Sequence, residues 1–472
     1  MRRVAVIGGG LSGLVTAHSI LYEAASREME VELSLWEASP RFGGKIGTVH
    51  RGGYRCEIGP NGFLDNTPQT LELVERVGLT GRLLPSSDAA RRRFIFSGGR
   101  LRQLPESPLS FFRSDLMTLP GRLRIVGEYF VPGRKDYGKG EDETVASFIR
   151  RRLGSEALEK LIDPMTSGIY AGDPERMSMA SCFPRIVALE RNYGGLIRGM
   201  LARGKEAKKA GKKGPSNAGP GGTLTSFTEG LQELIDTLAG TLGDRVHHSS
   251  PVIDITPAEG GGAYTVTFER GHPVDAEAVV IASPAYAAAE ICSTLAPEAA
   301  DLLRGIPYST LSIVHLGLDK ARLGRDLDGF GFLIPHREGR RILGSLWSSS
   351  IFPDRAPGGA ALVTTMVGGA RDPDTPMLPE KDLTGVVLEE LGTTMNQAEP
   401  PTFSLVTRWE KAIPQYLPGH GARLQQIEGR LGTHRGLFLT GNAYRGIGVN
   451  DCVKAAFSLA PRVAEYLGSS SK

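Results

Sequence analysis

Val4-Ala5-Val6-Ile7-Gly8-Gly9-Gly10-Leu11-Ser12-Gly13-Leu14-Val15-Thr16-Ala17 runs from a short apolar stretch through Gly-x-Gly-x-x-Gly into helix-compatible residues. That order predicts strand, tight turn and helix, the opening of a parallel α/β unit able to cradle a dinucleotide pyrophosphate. Gly8 permits the tight turn, Gly10 lets the backbone approach the phosphates, and Gly13 lets helix and strand pack closely; Gly9, Leu11 and Ser12 complete the turn. The first-turn N–H groups and the helix dipole then face the anion. An acidic residue is expected at the end of a second strand roughly 20 residues later, to hold the ribose hydroxyls. Val31-Glu32-Leu33-Ser34-Leu35-Trp36 ends at Glu37, which fits. Arg2-Arg3 ahead of an apolar stretch suggests a signal peptide as the rival reading. The glycine triplet within that stretch and the acidic strand after it argue against one.

The residues after Glu37 narrow the choice of dinucleotide. Ala38 leads to Arg41-Phe42-Gly43-Gly44-Lys45, and Glu57-Ile58-Gly59-Pro60-Asn61-Gly62 comes soon after. Glu-x-x-x-Arg-x-Gly-Gly after the second strand resembles the signature of flavoproteins of the amine oxidase and phytoene desaturase superfamily. A cation for the diphosphate and two residues without side chains, so that the chain can pass close to it, are the physical need. A nicotinamide dehydrogenase has no reason to carry this second element. Near the other end, Gly436-Leu437-Phe438-Leu439-Thr440-Gly441-Asn442 predicts a buried strand and turn. Gly446-Ile447-Gly448-Val449-Asn450-Asp451 then opens a helix-periodic run from Cys452 to Leu467. In FAD enzymes of this superfamily such a helix points its positive end at the flavin pyrimidine edge.

Further stretches carry a narrower resemblance. Gly168-Ile169-Tyr170-Ala171-Gly172-Asp173-Pro174, Met177-Ser178, Cys182-Phe183-Pro184, Gly329-Phe330-Gly331-Phe332-Leu333-Ile334-Pro335, Ile342-Leu343-Gly344, Met366-Val367-Gly368-Gly369 and the closing Gly441 to Cys452 follow one family's order. From residue 4 to residue 460 the chain resembles the oxygen-dependent protoporphyrinogen oxidases. The resemblance implies non-covalent FAD and three successive two-electron oxidations of protoporphyrinogen IX, with oxygen reduced to hydrogen peroxide. It implies FAD contacts at Gly8, Gly9, Gly10, Leu11, Ser12, Gly13, Glu37, Ala38, Arg41, Gly44 and Lys45. Further FAD contacts are implied at Gly59, Pro60, Asn61, Gly62, Val252, Trp409, Ile447, Gly448 and Val449. Leu333, Leu346 and Met366 match apolar positions that clamp the macrocycle, and Gly168 matches a position where backbone nears the reacting ring. Asn61 stands where some members carry an arginine for a substrate propionate; asparagine offers a hydrogen bond without charge, and Arg91-Arg92-Arg93 is the candidate substitute. No acid–base residue is expected: orientation and exclusion of water are the protein's part. His18 is read as packed within the first helix and His315 as a strand residue away from substrate.

Composition bounds the rest. A chain of 472 residues exceeds a single core. Its 40% hydrophobic and 23% charged residues describe a globular protein. A net charge of +3 points away from nucleic acid. Cys56, Cys182, Cys292 and Cys452 form no C-x-x-C, which argues against zinc or a redox dithiol and for a reduced setting; no metal site is expected. No run approaches the ~18 apolar residues of a membrane span.

The expected fold is α/β, α+β overall. It comprises a discontinuous Rossmann-like FAD domain (1–83, 220–289, 409–472), a mixed-sheet substrate domain (a strand in 84–94, then 290–408) and an inserted helical domain (95–215). Aromatics and aliphatics from Leu109 to Val131 lie near Arg113, Arg122 and Arg124, a surface suited to an anionic membrane face or to an ordinary amphipathic core. Arg198–Lys213 and the Gly/Pro/Ser/Asn stretch to Gly222 are read as a solvated linker first and a lipid-phosphate tether second. Through the resemblance, the partners are a porphyrinogen, oxygen, a peripheral membrane surface on the cytoplasmic face, and as further options ferrochelatase and a second copy of the chain. The alternatives are a coproporphyrinogen III oxidase, an FAD amine oxidase, and a flavin-stabilised scaffold without catalysis.

Overall fold

The computed structural model describes residues 2–134, 142–209, 221–259, 261–397 and 399–469. Two sheets organise it. The first is five-stranded and wholly parallel, in the order Val246–His247, Val31–Trp36, Arg2–Ile7, Ala278–Ile281, Leu437–Leu439. Its central strand pairs Val4 with both Leu33 and Ala278. Strands buried on both faces need apolar runs, and Val4 to Ile7 and Ala278 to Ile281 are such runs. Helix Leu11–Ser26 returns along this sheet and packs against the last helix, Val449–Ser469, and against Gln232–Leu242 in one shared core.

The second sheet has seven strands, in the order Phe403–Trp409, Leu311–Asp319, Ala360–Gly368, Ile342–Leu346, Gly331–Leu333, Phe94–Ser97, Arg100–Gln103. All pairs are antiparallel except Phe94–Ser97 with Gly331–Leu333. One face is sealed by helix Glu380–Met395, whose Leu383, Val387 and Leu391 pack on Val314, Leu316, Val363 and Val367. The other face looks toward the hairpin Thr48–Glu57 and the helical segment.

Three expectations differ from this architecture. No strand of the large sheet falls within 84–93: Leu83–Pro85 instead joins a small sheet with Phe63–Leu64 and Leu224–Phe227. The one strand expected in 84–94 enters only at Phe94, as Phe94–Ser97; Arg100–Gln103, in the stretch expected to be helical, pairs with it after Gly98-Gly99 at φ of 61° and 77°, and the helical segment begins only at Pro108. The basic run from Arg198 is not a linker as far as it is described: Leu196–Lys209 is a helix whose N-terminal N–H groups at Leu196 and Ile197 donate to Glu128. Residues 210–220 of that stretch lie outside the described residues.

Among the described residues no helix is long and apolar enough to cross a membrane. All four cysteines are free and buried. His315 is fully buried, its Nδ1 2.9 Å from Thr364 Oγ1, and burial pushes it down to about 4. That keeps it neutral, a packed sheet residue. Burial also lowers His18, with Arg76 adding to the effect.

Candidate active site

The carboxyl ends of the parallel strands converge on one edge, where ligands bind in open α/β sheets. Gly8 leaves the first strand at φ 111°, a conformation costly for any other residue. A Cβ on Gly13 would collide with the Gly8 carbonyl, so the helix sits as close to the turn as backbone allows. Gly10 is different. A Cβ there would meet nothing nearer than 3.9 Å, at Gly44. Open space therefore lies over the helix terminus, bordered by the bridge between Gly10 and Gly43. Gly10 is the N-cap and no side chain caps the first turn. Uncapped N–H groups, the positive end of a 16-residue helix and room beside a glycine are what a diphosphate requires. The residues fit the group.

Glu37 closes the second strand as expected. Its Oε2 accepts from Gly9 N at 2.6 Å, and its Oε1 accepts from Ser39 N at 2.8 Å and Ser39 Oγ at 2.7 Å. Oε2, with one donor, keeps a lone pair for a further one. Ala38 continues this turn, and Ser250 N donates to the Glu37 carbonyl at 2.8 Å, which brings the strand beginning at Val252 alongside. Arg41 is spent differently from the expectation. It donates to the carbonyls of Phe42 (3.1 Å), Ile46 (2.8 Å) and Gly44 (2.6 Å), so it stiffens the turn and offers an anion charge more than free donors.

Lys45, Ile58 and Trp409 meet from three segments. Lys45 Nζ lies 4.3 Å from the Trp409 ring centroid and donates to the Lys411 carbonyl; Trp409 Nε1 donates to Ile58 O at 2.7 Å. Burial pushes Lys45 down to about 8. Gly59 fits beneath, since a Cβ would strike the Lys45 carbonyl. Pro60, Asn61 and Gly62 come next, half-buried. Glu57, just before them, is structural. Thr48 Oγ1, Leu231 N and Arg355 (3.2 Å) surround its carboxylate, and burial still pushes it up to about 7. At the second glycine turn, Gly448 N donates to Asp451 Oδ2 at 3.2 Å, beside Ile447 and at the start of the helix that begins at Val449. Tyr416 brackets this turn, donating to Asn442 O at 2.5 Å and accepting from Gly446 N at 3.0 Å. Nothing in the sequence singles out Tyr416.

The apolar residues converge on the inner face of the large sheet. Leu333 pairs with Gly344, and Gly344 with Met366; one row along, Gly331 pairs with Leu346, and Leu346 with Thr364. Side chains alternate along strands, so Leu333, Leu346 and Met366 share a face, and Leu333 packs over Gly344, where a Cβ would meet its Cδ2 at 2.9 Å. All three are half-buried. Helix Asp163–Tyr170 lies over this face: a Cβ on Gly168 would meet Leu333 Cδ2 at 2.8 Å and Cδ1 at 3.1 Å. Four residues from four elements thus meet on one apolar face, with Gly168 packed against Leu333.

Arg93 lies at its rim. It precedes Phe94 and shares the face of Ile95, which packs with Leu333. Its guanidinium stands 5.1 Å from the Phe330 ring centroid, and Phe330 packs in the same group as Leu346. Arg91 is engaged by Asp88 (3.2 Å) and Arg92 by Asp328 (3.3 Å). Among the described residues Arg93 has no carboxylate within ion-pair distance.

An anion-ready turn on a parallel sheet, joined to a second sheet with an apolar face, defines a dinucleotide-dependent redox enzyme. The description of the flavin containing amine oxidoreductase family matches residues 11–464, and the chain belongs to that family. FAD is its cofactor. The chain is 31% identical to a coproporphyrinogen III oxidase of Bacillus subtilis (strain 168), over 99% of each chain. It is 34% identical to a chloroplastic protoporphyrinogen oxidase of Nicotiana tabacum, over 98% of this chain and 85% of that one. A solved structure from Exiguobacterium sp. 255-15, provisionally named protoporphyrinogen oxidase, superposes with a TM-score of 0.81 at 25% identity, covering 98% of this chain and 99% of that one.

Proposed function

We propose that the chain oxidises protoporphyrinogen IX to protoporphyrin IX in porphyrin biosynthesis, removing six hydrogens in three steps and passing the electrons to oxygen as hydrogen peroxide. The observation that carries this reading is the apolar row Leu333–Gly344–Met366, with Leu346 on the same face and Gly168 against it, a surface suited to a flat apolar macrocycle. FAD, when bound, supplies the two-electron acceptor of each step. Leu333, Leu346 and Met366 grip the ring faces and exclude water. Gly168 sets how near the ring can come. Gly10, Glu37 and the turn at Ile447, Gly448 and Val449 hold the cofactor's two ends. Arg93 takes a propionate at the rim, replacing the charge that Asn61 lacks.

Arg93→Ala is expected to raise KM for the porphyrinogen about tenfold with kcat within about twofold, since a charged hydrogen bond at a partly exposed rim contributes roughly 1.5 kcal/mol of binding. Steady-state kinetics check this; an unchanged KM removes Arg93 from the site. The Bacillus relative favours a second substrate, coproporphyrinogen III, with four carboxylates in place of two. Aerobic turnover of both porphyrinogens side by side, following porphyrin fluorescence and peroxide, decides between them. Turnover of neither overturns the reading.

We also place the protein peripherally on the inner face of the cell membrane. Leu109, Phe112, Leu119, Leu123, Tyr129 and Phe130 are exposed together on the helical segment, Phe130 at 80%. Leu123→Ser with Phe130→Ser is expected to weaken binding to anionic vesicles about a hundredfold, from roughly 3 kcal/mol of apolar burial, in a flotation assay. Equal flotation of variant and wild type excludes this surface.

A further inference from the structure

Arg371 lies just beyond the strand Ala360–Gly368 that carries Met366, and it ties together the parts of this apolar face. Its Nη1 lies 2.5 Å from Asp163 Oδ1 and its Nη2 2.7 Å from Asp173 Oδ1. Asp163 is the first residue of the helix bearing Gly168; Asp173 comes three residues after its end, beyond the left-handed turn at Ala171 (φ 48°). One guanidinium therefore joins the helix start to the returning chain. Asp163 Oδ2 accepts from His336 N at 2.8 Å, three residues beyond Leu333. Ala370 N donates to Ala171 O at 2.7 Å. The side chains of Asp163 and Asp173 are only 8% and 17% exposed, so water screens the pairs little.

We propose that Arg371 is a positioning residue for the oxidation: by clamping Asp163 and Asp173 it fixes the height of Gly168 above Leu333, and with it the distance at which the macrocycle meets the cofactor. This rests on the porphyrinogen oxidase reading. Gly168 packs on the far end of Leu333, where a Cβ would come within 2.8 Å of Cδ2, so a shift of the helix is felt at Leu333. Arg371 thus joins the Met366 strand to the helix, and Asp163 joins the helix to the chain beyond Leu333. A displacement of about 1 Å at a reacting centre lowers rate by up to about a hundredfold without a comparable loss of binding.

The test uses the full-length holoenzyme as wild type, Arg371→Met and Arg371→Lys. Anaerobic single-turnover bleaching of the bound flavin by excess protoporphyrinogen IX or coproporphyrinogen III is measured per flavin, with KM, thermal midpoint and reoxidation of dithionite-reduced flavin by oxygen. The methionine variant is expected to bleach at least about tenfold more slowly with KM within about threefold, the lysine variant to recover to within about threefold of wild type, and reoxidation to be unchanged. Wild-type bleaching rates per flavin in the methionine variant, with only a lower midpoint or flavin content, would assign Arg371 to stability alone. A lysine variant as slow as methionine also overturns the clamp. If the methionine variant does not fold, Asp173→Asn, which leaves the Asp163 arm, is judged by the same rates. Wild-type flavin that neither porphyrinogen bleaches overturns the functional reading and this role with it.

Discussion

Gly168→Leu is expected to lower porphyrinogen turnover at least about a hundredfold while the protein keeps its FAD. The geometry sets both halves of that result. A single Cβ at residue 168 already meets the far end of Leu333, at 2.8 Å from Cδ2 and 3.1 Å from Cδ1, so that side chain must give way. A leucine adds three more carbons, so either Leu333 swings out over the face it shares with Leu346 and Met366 or the helix Asp163–Tyr170 lifts off the sheet. The first covers the face that would grip the macrocycle, and the second moves the ring away from the cofactor. A hundredfold loss corresponds to about 2.7 kcal/mol in the barrier, within reach of a misplacement of about 1 Å. The cofactor cradle at Gly8 to Gly13 and Glu37 lies on other elements and is untouched. Flavin absorbance per protein should therefore match wild type, and kcat per flavin should not. Normal turnover in this variant would remove Gly168 from its role. Gly168→Ala, which only crowds Leu333, should fall between the two.

The part of the fold that is legible in sequence is written locally. Strand, glycine turn and helix at residues 2–26, and Glu37 after the second strand, come from a motif whose spacing has a steric cause. The parallel sheet also takes strands at 278–281 and 437–439, each an apolar run after polar residues, which composition does reveal. Two elements escape the sequence reading for identifiable reasons. The hairpin Phe94–Gln103 merges into a basic helical region because Arg100 and Arg102 mask its alternation, yet Gly98-Gly99 between two alternating runs is a hairpin signal. Helix Leu196–Lys209 reads as a linker because its charges outweigh Leu196, Ile197, Met200 and Leu201, which recur with a helical period.

The site divides in the same way. Leu333, Leu346 and Met366 are named through a resemblance, but that they share one face depends on strand register, which a single sequence does not contain. Arg93 is one of three consecutive arginines. Only the structure distinguishes it, by giving Arg91 and Arg92 their aspartates. Arg41 shows the reverse. The motif predicts a cation along a diphosphate, whereas three backbone carbonyls hold its guanidinium. Contacts spanning 198 and 208 residues, as between Arg371 and its two aspartates, leave no local signal at all.

Gly10→Ala and Gly13→Val should separate cofactor binding from folding. At Gly13 the obstacle is backbone: any Cβ collides with the Gly8 carbonyl, and neither partner can rotate away. The helix must withdraw from the strand, so Gly13→Val is expected to destabilise the FAD-free protein by about 1–3 kcal/mol, as overpacking does, and to purify colourless. At Gly10 nothing protein-derived lies within 3.9 Å of the added methyl group, and φ −71°, ψ 176° suits alanine. The FAD-free thermal midpoint of Gly10→Ala should stay within about 2 °C of wild type, because alanine at an N-cap costs about 1 kcal/mol or less relative to glycine, a small shift for a chain of this size. The methyl group would nevertheless occupy the space through which a diphosphate reaches the first-turn N–H groups, and FAD affinity is expected to fall about a hundredfold, or about 2.7 kcal/mol. Titration of FAD into the apoproteins by flavin fluorescence checks both. Wild-type affinity in Gly10→Ala would place the diphosphate away from this helix, whatever Gly13→Val did. A loss confined to Gly13→Val would show that the glycine turn matters for packing strand against helix and not for approach to the ligand.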